Sequence, residues 1–279
     1  MKWRIACLQM DIAFGDPEEN IQRADKWLRV AAEKQCDLAV LPELWTTGYD
    51  LGRLDEIADT NIKQTAAFLA AQAKKHRMHI VAGSVANKTD SGVENTMLVT
   101  NRDGQLVKSY SKLHLFRLME EEKYLQAGNE DGLFMLENET MAAFICYDIR
   151  FPEWLRTHVL KGAKVLFVSA EWPLARVDHW RTLLLARAIE NQAYVIACNR
   201  SGSDPNNVFA GHSLIIDPWG EIIAEAGKDE EMLIGEIDLN KVAEIRKRIP
   251  VFEDRRPQFY HFSERRIPLQ GMGKASPNE

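Results

Sequence analysis

The sequence predicts an α/β fold in which helices cover the outer faces of mixed β-sheets. Short continuous apolar runs, such as residues 141–145, are typical of strands buried on both faces. Segments with apolar residues at helical spacing alternate with these runs, so helices are expected to pack on the sheets. Turn residues at 101–104 and 218–220 predict two hairpins, which indicates that some neighbouring strands are antiparallel.

In chain order, a first strand over residues 3–10 is followed by a helix from about residue 16 to residue 34. Asp16, Pro17 and Glu19 supply its N-cap, its first-turn proline and its capping-box glutamate. Further helices are predicted over 60–77, from 152, over 178–192 and over 240–248. Further strands are predicted over 37–41, 79–85, 94–100, 105–110, 163–170, 193–198, 209–217, 221–226 and 232–237. No repeat or low-complexity linker interrupts this order, so we expect one domain over residues 1–250 and a C-terminal tail over 251–279.

Composition narrows the class of protein. Of the 279 residues, 46% are hydrophobic and 27% charged, which is typical of a globular protein. A net charge of −6 gives no reason to expect binding to nucleic acid or an anionic membrane. No apolar run approaches the roughly 18 residues of a membrane span, and the first residues are interrupted too early by polar ones for a signal peptide. The four scattered cysteines favour reduced thiols in a cytoplasmic protein over a disulfide framework or a metal site.

Cys146 has the most informative position in the chain. It directly follows the buried strand at 141–145 and precedes a helix that begins at Pro152. Free backbone N–H groups at such a junction favour a thiolate and can hold an oxyanion. Most free cysteines are small buried core residues, so this position alone does not establish a catalytic role.

Two other strand ends carry charged residues that can assist a cysteine nucleophile. Glu43 follows the apolar run 38–42 and is a candidate general base. Lys112 closes the second strand of the first hairpin and is a candidate cation for stabilising developing negative charge. His114 and His212 are alternative bases, although a structural role is the more common one for such histidines. Taken singly, charges at strand ends are often only solvated side chains.

Together, three segments resemble the signature segments of the nitrilase superfamily of carbon–nitrogen hydrolases, and their order is the same. These segments are Leu-Pro-Glu-Leu at 41–44, Lys-Leu-His-Leu-Phe at 112–116 and Cys-Tyr-Asp-Ile-Arg-Phe-Pro at 146–152. The resemblance implies an αββα sandwich, a homodimer or higher homo-oligomer, and a catalytic triad of Glu43, Lys112 and Cys146. Family members carry a second active-site glutamate shortly before a glycine. Its spacing to Gly128 implies Glu121, with Glu120 and Glu122 as adjacent alternatives.

The resemblance extends to the omega-amidase branch, which hydrolyses the terminal amide of dicarboxylic acid monoamides such as 2-oxoglutaramate. Its bacterial members that act on 2-oxoglutaramate, which are linked to methionine salvage, are the most similar. The matching segments are residues 46–49, 115–117, 146–152 and 171–173, together with Arg176, His179 and Trp180.

A substrate that ends in a carboxylate needs a cation in its pocket, so Arg117 and Arg176 are candidate clamps. Tyr49 and Trp172 are candidate pocket walls, and the backbone N–H of Tyr147 is a candidate oxyanion donor. The implied chemistry needs an amide, water, and no cofactor or metal. The alternatives are a nitrilase, an N-carbamoyl amine hydrolase, an acyl transferase and a non-catalytic interaction protein of the same fold.

Overall fold

A computed structural model describes residues 1–260 and shows two β-sheets stacked face to face between outer helices. The strands are β1 (Lys2–Gln9), β2 (Leu38–Val40), β3 (Asp59–Thr60), β4 (His79–Thr89), β5 (Gly92–Thr100), β6 (Leu106–Ser111), β7 (Leu133–Leu136), β8 (Glu139–Ile145), β9 (Val165–Ala170), β10 (Tyr194–Asn199), β11 (Leu214–Ile216), β12 (Ile222–Glu225) and β13 (Glu231–Asp238). The helices are α1 (Pro17–Glu33), α2 (Leu54–Ile57), α3 (Lys63–His76), α4 (Pro152–Leu160), α5 (Val177–Asn191) and α6 (Asn240–Arg248). This arrangement confirms the predicted αββα sandwich.

Both sheets are mixed, as the hairpin turns predicted. The first sheet has the order β13-β1-β2-β4-β5-β6, with β3 paired to β4, and the second has the order β12-β11-β10-β9-β8-β7. Strand β1 runs parallel to β2 but antiparallel to β13, and β9 runs parallel to both β8 and β10. Parallel neighbours bring their carboxyl ends to one edge, where polar side chains can gather.

The alternation of side chains along β1 divides the core into two layers. Trp3, Ile5 and Cys7 belong to the cluster between the sheets, which also contains the buried residues of β8, β9 and β10. Ala6 and Leu8 point the other way and pack with residues of α1 and α3. Because successive strand residues face opposite sides, one strand contributes to both layers.

Several predicted boundaries differ from the structure. The helix expected to start at residue 60 begins at Lys63, because Asp59 and Thr60 pair with β4 as a short strand. The strand predicted over 209–217 is limited to Leu214–Ile216, and the last strand, β13, joins the first sheet beside β1. Strand β7 was not predicted. Residues 251–260 of the predicted tail form turns, and the rest of it lies outside the described residues.

The first helix forms as its sequence predicted. The Asp16 side chain accepts a hydrogen bond from the Glu19 backbone N–H at 3.0 Å, and Pro17 occupies the first turn. Within residues 1–260, every helix is too short or too polar to span a lipid bilayer.

Candidate active site

Three strand ends bring Glu43, Lys112 and Cys146 together inside the sandwich. Glu43 follows β2, Lys112 directly follows β6 and Cys146 directly follows β8. Glu43 and Lys112 are completely buried, and Cys146 is 5% exposed. The proximity predicted from the sequence is therefore found, although the first two residues come from one sheet and the third from the other.

The backbone at Cys146 makes a sharp turn out of β8. Its φ angle of 44° lies in the left-handed region, which costs energy for a residue with a side chain. The Asp148 carboxylate stabilises this turn by accepting hydrogen bonds from the Ile145 backbone N–H at 2.9 Å and from the Tyr110 hydroxyl at 2.7 Å. The turn then continues into α4, as expected from the position of Pro152.

The surroundings of the Cys146 thiol favour its protonated form. Burial raises the pKa of Cys146 well above its usual value, the neighbouring Glu43 carboxylate raises it further, and the Lys112 ammonium only partly opposes the rise. These surroundings oppose the thiolate that the backbone donors at the strand–helix junction are expected to favour. Backbone donors are outweighed by desolvation and two nearby carboxylates, so the thiol needs a base to lose its proton.

Lys112 links the two glutamates of the site. Its Nζ atom lies 2.8 Å from Glu43 Oε1 and 2.7 Å from Glu121 Oε1. Burial acts to lower the pKa of Lys112, but the carboxylates of Glu121 and Glu43 raise it well above its usual value. The ammonium is therefore charged, and one of its three N–H donors remains for another acceptor.

Among the three adjacent glutamates, the structure places Glu121 inside the site. Glu121 is completely buried, whereas Glu120 and Glu122 are exposed. Its Oε2 accepts a hydrogen bond from the Phe116 backbone N–H at 2.8 Å. Burial raises the pKa of Glu121, Lys112 opposes this and Glu43 adds to it.

Tyr49, predicted as a pocket wall, lies within the carboxylate network. Its hydroxyl is 2.6 Å from Glu121 Oε1 and 3.1 Å from Glu43 Oε1. Burial and the two carboxylates raise the pKa of Tyr49 well above its usual value, so the phenol keeps its proton and remains a donor.

Two residues that hold Glu43 were not predicted. Asn95 Nδ2 donates to Glu43 Oε1 at 2.8 Å, and the Glu171 backbone N–H donates to Glu43 Oε2 at 2.9 Å. Asn95 gave no signal, because a single asparagine within a strand is uninformative. Glu171 did give one, because it directly follows the buried strand β9 as Glu43 follows β2. Burial raises the pKa of Glu171 to about 8, with Arg200 opposing the rise.

A small cavity gives access to Cys146. Besides Cys146, its lining residues are Phe116, Met119, Tyr147, Arg150, Glu171, Trp172, Pro173 and Arg176. The Arg150 guanidinium lies 4.9 Å from the centre of the Trp172 ring, and that of Arg176 lies 5.6 Å from the centre of the Phe116 ring. Two cations therefore border the cavity that contains the thiol.

The cavity is nearly closed in this conformation. Its volume of about 10 Å³ is close to the minimum for one water molecule. Met119 also lines a larger neighbouring depression of about 440 Å³, together with Tyr49 and Leu118. A bound substrate therefore requires side chains at this boundary to move.

The other predicted residues have different surroundings. Trp172, predicted as a pocket wall, lines the cavity together with Tyr147 and Arg176, and its indole N–H donates to the Arg176 carbonyl at 2.7 Å. Arg117 is exposed and does not line the cavity of Cys146; it lines a neighbouring surface depression that shares Phe116 and Tyr147 with that cavity. Arg150 was part of the matching Cys146 segment but was given no role. It is the second cation, after Arg176, that lines the cavity.

The histidines that were weighed as bases have structural partners. His114 Nδ1 lies 2.8 Å from Asp148 Oδ1, and its ring stacks on that of Phe151 with the centroids 3.7 Å apart. His212 Nδ1 lies 3.4 Å from Glu225 Oε1 at the opposite edge of the second sheet.

Several known proteins are similar to this chain in sequence, and one of known structure is similar to it in fold. The chain is 56% identical over 260 residues to a 2-oxoglutaramate amidase of Bacillus subtilis, covering 93% of this chain and 100% of that protein. It is 36% identical to an omega-amidase of Escherichia coli, covering 90% of this chain and 96% of that protein. A crystal structure of a carbon–nitrogen hydrolase superfamily protein from Xanthomonas campestris, with an arsenic adduct in its active site, aligns with a TM-score of 0.86 and 33% identity, covering 92% of this chain and 98% of that one. The family model described as carbon–nitrogen hydrolase matches residues 4–247. The chain is therefore an amide-hydrolysing enzyme that belongs to the carbon–nitrogen hydrolase family.

Proposed function

We propose that this protein releases ammonia from the terminal amide of small omega-amides of dicarboxylic acids, such as 2-oxoglutaramate, through a thioester on Cys146. The observation that carries the proposal is the buried Lys112 ammonium, which is hydrogen-bonded to both Glu43 and Glu121 beside the thiol. A base, a fixed cation and a nucleophile within one water-excluding site are the parts that acyl transfer requires.

In the first half of the reaction, Glu43 takes the proton of the Cys146 thiol as the sulfur attacks the amide carbonyl. Proton removal and attack are coupled, because burial keeps the pKa of the resting thiol high. The oxyanion of the tetrahedral intermediate accepts hydrogen bonds from the remaining Lys112 N–H and from the Tyr147 backbone N–H. Glu43 then returns the proton to the nitrogen, the carbon–nitrogen bond breaks and ammonia leaves.

In the second half, water hydrolyses the thioester. Glu43 takes a proton from the water as its oxygen attacks the acyl carbon, and Lys112 again stabilises the oxyanion. The carbon–sulfur bond breaks, the acid leaves and Cys146 regains its proton. Glu121 keeps Lys112 charged and oriented throughout, which its 2.7 Å contact supports.

The two arginines at the cavity support a substrate with a remote carboxylate. Arg176 and Arg150 line the cavity that contains Cys146, whereas Arg117 does not. A guanidinium binds a carboxylate through two parallel hydrogen bonds, and binding energy at the remote end of a small amide can be used to orient the reacting end. We therefore assign the clamp to Arg176, with Arg150 as a second cation.

Ammonia release by the purified protein tests the proposal. 2-Oxoglutaramate is compared with an uncharged amide of equal length, an N-carbamoyl amine and a nitrile. Arg176→Met is expected to lower kcat/KM for the charged amide by roughly ten- to a hundredfold and to change the uncharged amide much less, because a charge-assisted hydrogen bond is lost. Arg117→Met is the matched control and is expected to behave like wild type. Equal loss for both amides in Arg176→Met would refute the clamp, and preference for the nitrile or carbamoyl compound would refute the substrate class.

Three broader features complete the proposal. The four cysteines are buried free thiols, which suits the reducing environment of a cytoplasm. Assembly into a homodimer is supported by exposed apolar residues on the second sheet and its helix, including Ile189 and Trp219. The link to methionine salvage rests on resemblance alone and stays a prediction.

A further inference from the structure

The cavity wall contains a second buried ion pair that the proposed chemistry does not use. Glu171 and Arg200 are both completely buried, and Arg200 Nη1 donates to Glu171 Oε2 at 2.7 Å. Glu171 lines the cavity of Cys146, and its backbone N–H is the donor to Glu43 Oε2. The hydrogen bond from Arg200 needs only an acceptor oxygen on Glu171, so it persists in either protonation state of a carboxyl whose pKa is raised to about 8. The pair is therefore connected to the proposed base through a single peptide group.

Arg200 is itself fixed at several points. Its Nη2 donates to the carbonyls of Ile12 at 2.8 Å and Ser203 at 3.2 Å, and its guanidinium lies 4.2 Å from the centre of the Phe209 ring. Its backbone N–H donates to the Ala170 carbonyl at 2.9 Å. Because Arg200 is anchored to three separate segments, it can hold the Glu171 side chain in one place.

The local backbone turns the Glu171 N–H away from the neighbouring strand. Trp172 donates its N–H to Asn199 Oδ1 at 2.7 Å, and Ala170 accepts from Arg200, so both neighbours of Glu171 are bound to the end of β10. The intervening Glu171 N–H points across the sandwich to Glu43, at the end of β2 in the other sheet. This hydrogen bond joins the two sheets at the reacting centre.

Gly48 leaves the space that the pair needs. A Cβ at this position would lie 3.3 Å from Arg200 Nη1 and 4.0 Å from Glu171 Oε1, and the glycine φ of +60° disfavours other residues. The Thr-Thr-Gly-Tyr segment therefore packs directly against the pair. The same segment supplies Tyr49 to the opposite side of Glu43.

We propose that Glu171 and Arg200 form a positioning pair that orients Glu43 for proton transfer, through the backbone N–H that Glu171 donates to Glu43 Oε2. The inference rests on the proposed role of Glu43 as the base. With Oε1 held by Lys112, Asn95 and Tyr49, the hydrogen bond at Oε2 fixes the rotation of the carboxylate. A carboxylate that rotates freely would spend less time aligned with the thiol, so the pair acts on the rate of proton transfer rather than on substrate binding.

The test measures alkylation of Cys146 by iodoacetamide, followed by mass spectrometry, because this reaction needs the base but no amide hydrolysis. The variants are Glu171→Ala, which removes the tie to Arg200, and Glu171→Gln, whose amide oxygen can still accept from Arg200. Arg200→Lys keeps the charge but loses the planar fork. Asp217→Asn is the matched control, because Asp217 is a buried carboxylate in the β11–β12 turn that pairs with Lys241 of α6, outside the site.

At pH 7, Glu171→Ala and Arg200→Lys are expected to slow alkylation by roughly ten- to a hundredfold, while Glu171→Gln restores most of the rate. The difference in rate between these variants and wild type should narrow as pH rises towards 9.5, because direct removal of the thiol proton by hydroxide then carries an increasing share of the reaction. Other ionisable groups facing this carboxylate or the pair are Asp11, Tyr49, Lys112, Glu121, Cys146 and Asp204, and all are unchanged in these variants. In ammonia release, kcat should fall by a similar factor with KM within about threefold of wild type.

Wild-type alkylation rates in folded Glu171→Ala and Arg200→Lys proteins would overturn the proposal. A difference in alkylation rate between these variants and wild type that is equal at every pH would also overturn it. Loss of the near-ultraviolet circular dichroism spectrum in both variants would also overturn it, because the pair would then be a requirement for folding. Slower alkylation in a protein that does not hydrolyse 2-oxoglutaramate would support the positioning pair and refute only the proposed substrate.

Discussion

Replacing Lys112 with methionine perturbs both the chemistry and the stability of the site. The Lys112 ammonium is completely buried and bonded to two carboxylates, so its removal leaves Glu43 and Glu121 facing each other without a cation. Breaking a buried ion pair by removing one partner costs about 3–5 kcal/mol. Loss of one oxyanion donor lowers kcat by about 10²–10³-fold. We expect Lys112→Met to show both effects.

The stability loss should depend on pH in a defined direction. Burial already raises the pKa of Glu121, and removing Lys112 takes away the cation that opposes this rise. A carboxyl with a raised folded-state pKa is destabilising when ionised, and the variant raises this pKa further. The difference in stability between variant and wild type should therefore grow as pH rises above the wild-type folded-state pKa of Glu121, which already lies above its unfolded value. Urea unfolding of Lys112→Met and wild type is therefore compared at pH 5 and pH 8, and the larger difference is expected at pH 8.

Lys164→Met provides the matched control. Lys164 pairs with Glu139 at 2.6 Å, but their side chains are 33% and 23% exposed. After allowance for solvent screening, this change should cost only about 0–1 kcal/mol and leave kcat unchanged. The reasoning would be refuted if Lys112→Met were no less stable than Lys164→Met, or if it kept wild-type turnover.

Three further predictions concern neighbouring features. Tyr49→Phe removes a hydroxyl whose single proton is donated to one carboxylate at a time, Glu121 at 2.6 Å or Glu43 at 3.1 Å, and should lower stability by about 1.5–3 kcal/mol, measured by urea unfolding; a change below 0.5 kcal/mol would contradict this hydrogen bond. Met119→Ala should join the Cys146 cavity to the neighbouring depression and raise kcat/KM for longer omega-amides relative to shorter ones, and an unchanged ratio would argue against this boundary. Ile189→Lys, on α5, should shift sedimentation from dimer to monomer, whereas Leu106→Lys, at a similarly exposed residue on β6, should not; a wild-type protein that is monomeric at micromolar concentration would refute the assembly.

The fold could be predicted because local patterns agreed with each other. Continuous apolar runs gave the buried strands, and Asp16 with Pro17 gave the start of α1. The predicted element boundaries were wrong where pairing with a neighbouring strand, rather than local propensity, determines the structure. Strand β3 exists only because Asp59 and Thr60 pair with β4, and a two-residue partner leaves no periodic pattern to detect.

The candidate site was predicted only in part, and the difference has a physical reason. A charged residue directly after a buried run can be found in a sequence, which located Glu43 and Lys112 and was also available for Glu171. Which side of a surface turn a residue faces cannot be found in this way. Arg117 and Arg176 were therefore both candidates, with a slight preference for Arg176 because Trp172 and Pro173 constrain its loop, and the folded chain places Arg176 at the cavity of Cys146.

The state of the thiol also depends on three-dimensional surroundings. Backbone donors at the strand–helix junction can be inferred from the sequence, and they favour a thiolate. Burial and the carboxylate of Glu43 oppose them, and these effects arise from different strands of two sheets. Their sum raises the pKa of Cys146, so the proposed reaction depends on a positioned base.

The central claim is that an acyl group is carried by Cys146. Wild-type protein is mixed with 2-oxoglutaramate, quenched with acid within the first turnovers, digested and examined by mass spectrometry. The predicted result is an adduct with the mass of the acyl group on the peptide that contains Cys146, and none in Cys146→Ala protein with an intact circular dichroism spectrum. An adduct on the peptide of Cys7, Cys36 or Cys198, or turnover by Cys146→Ala, would contradict the account.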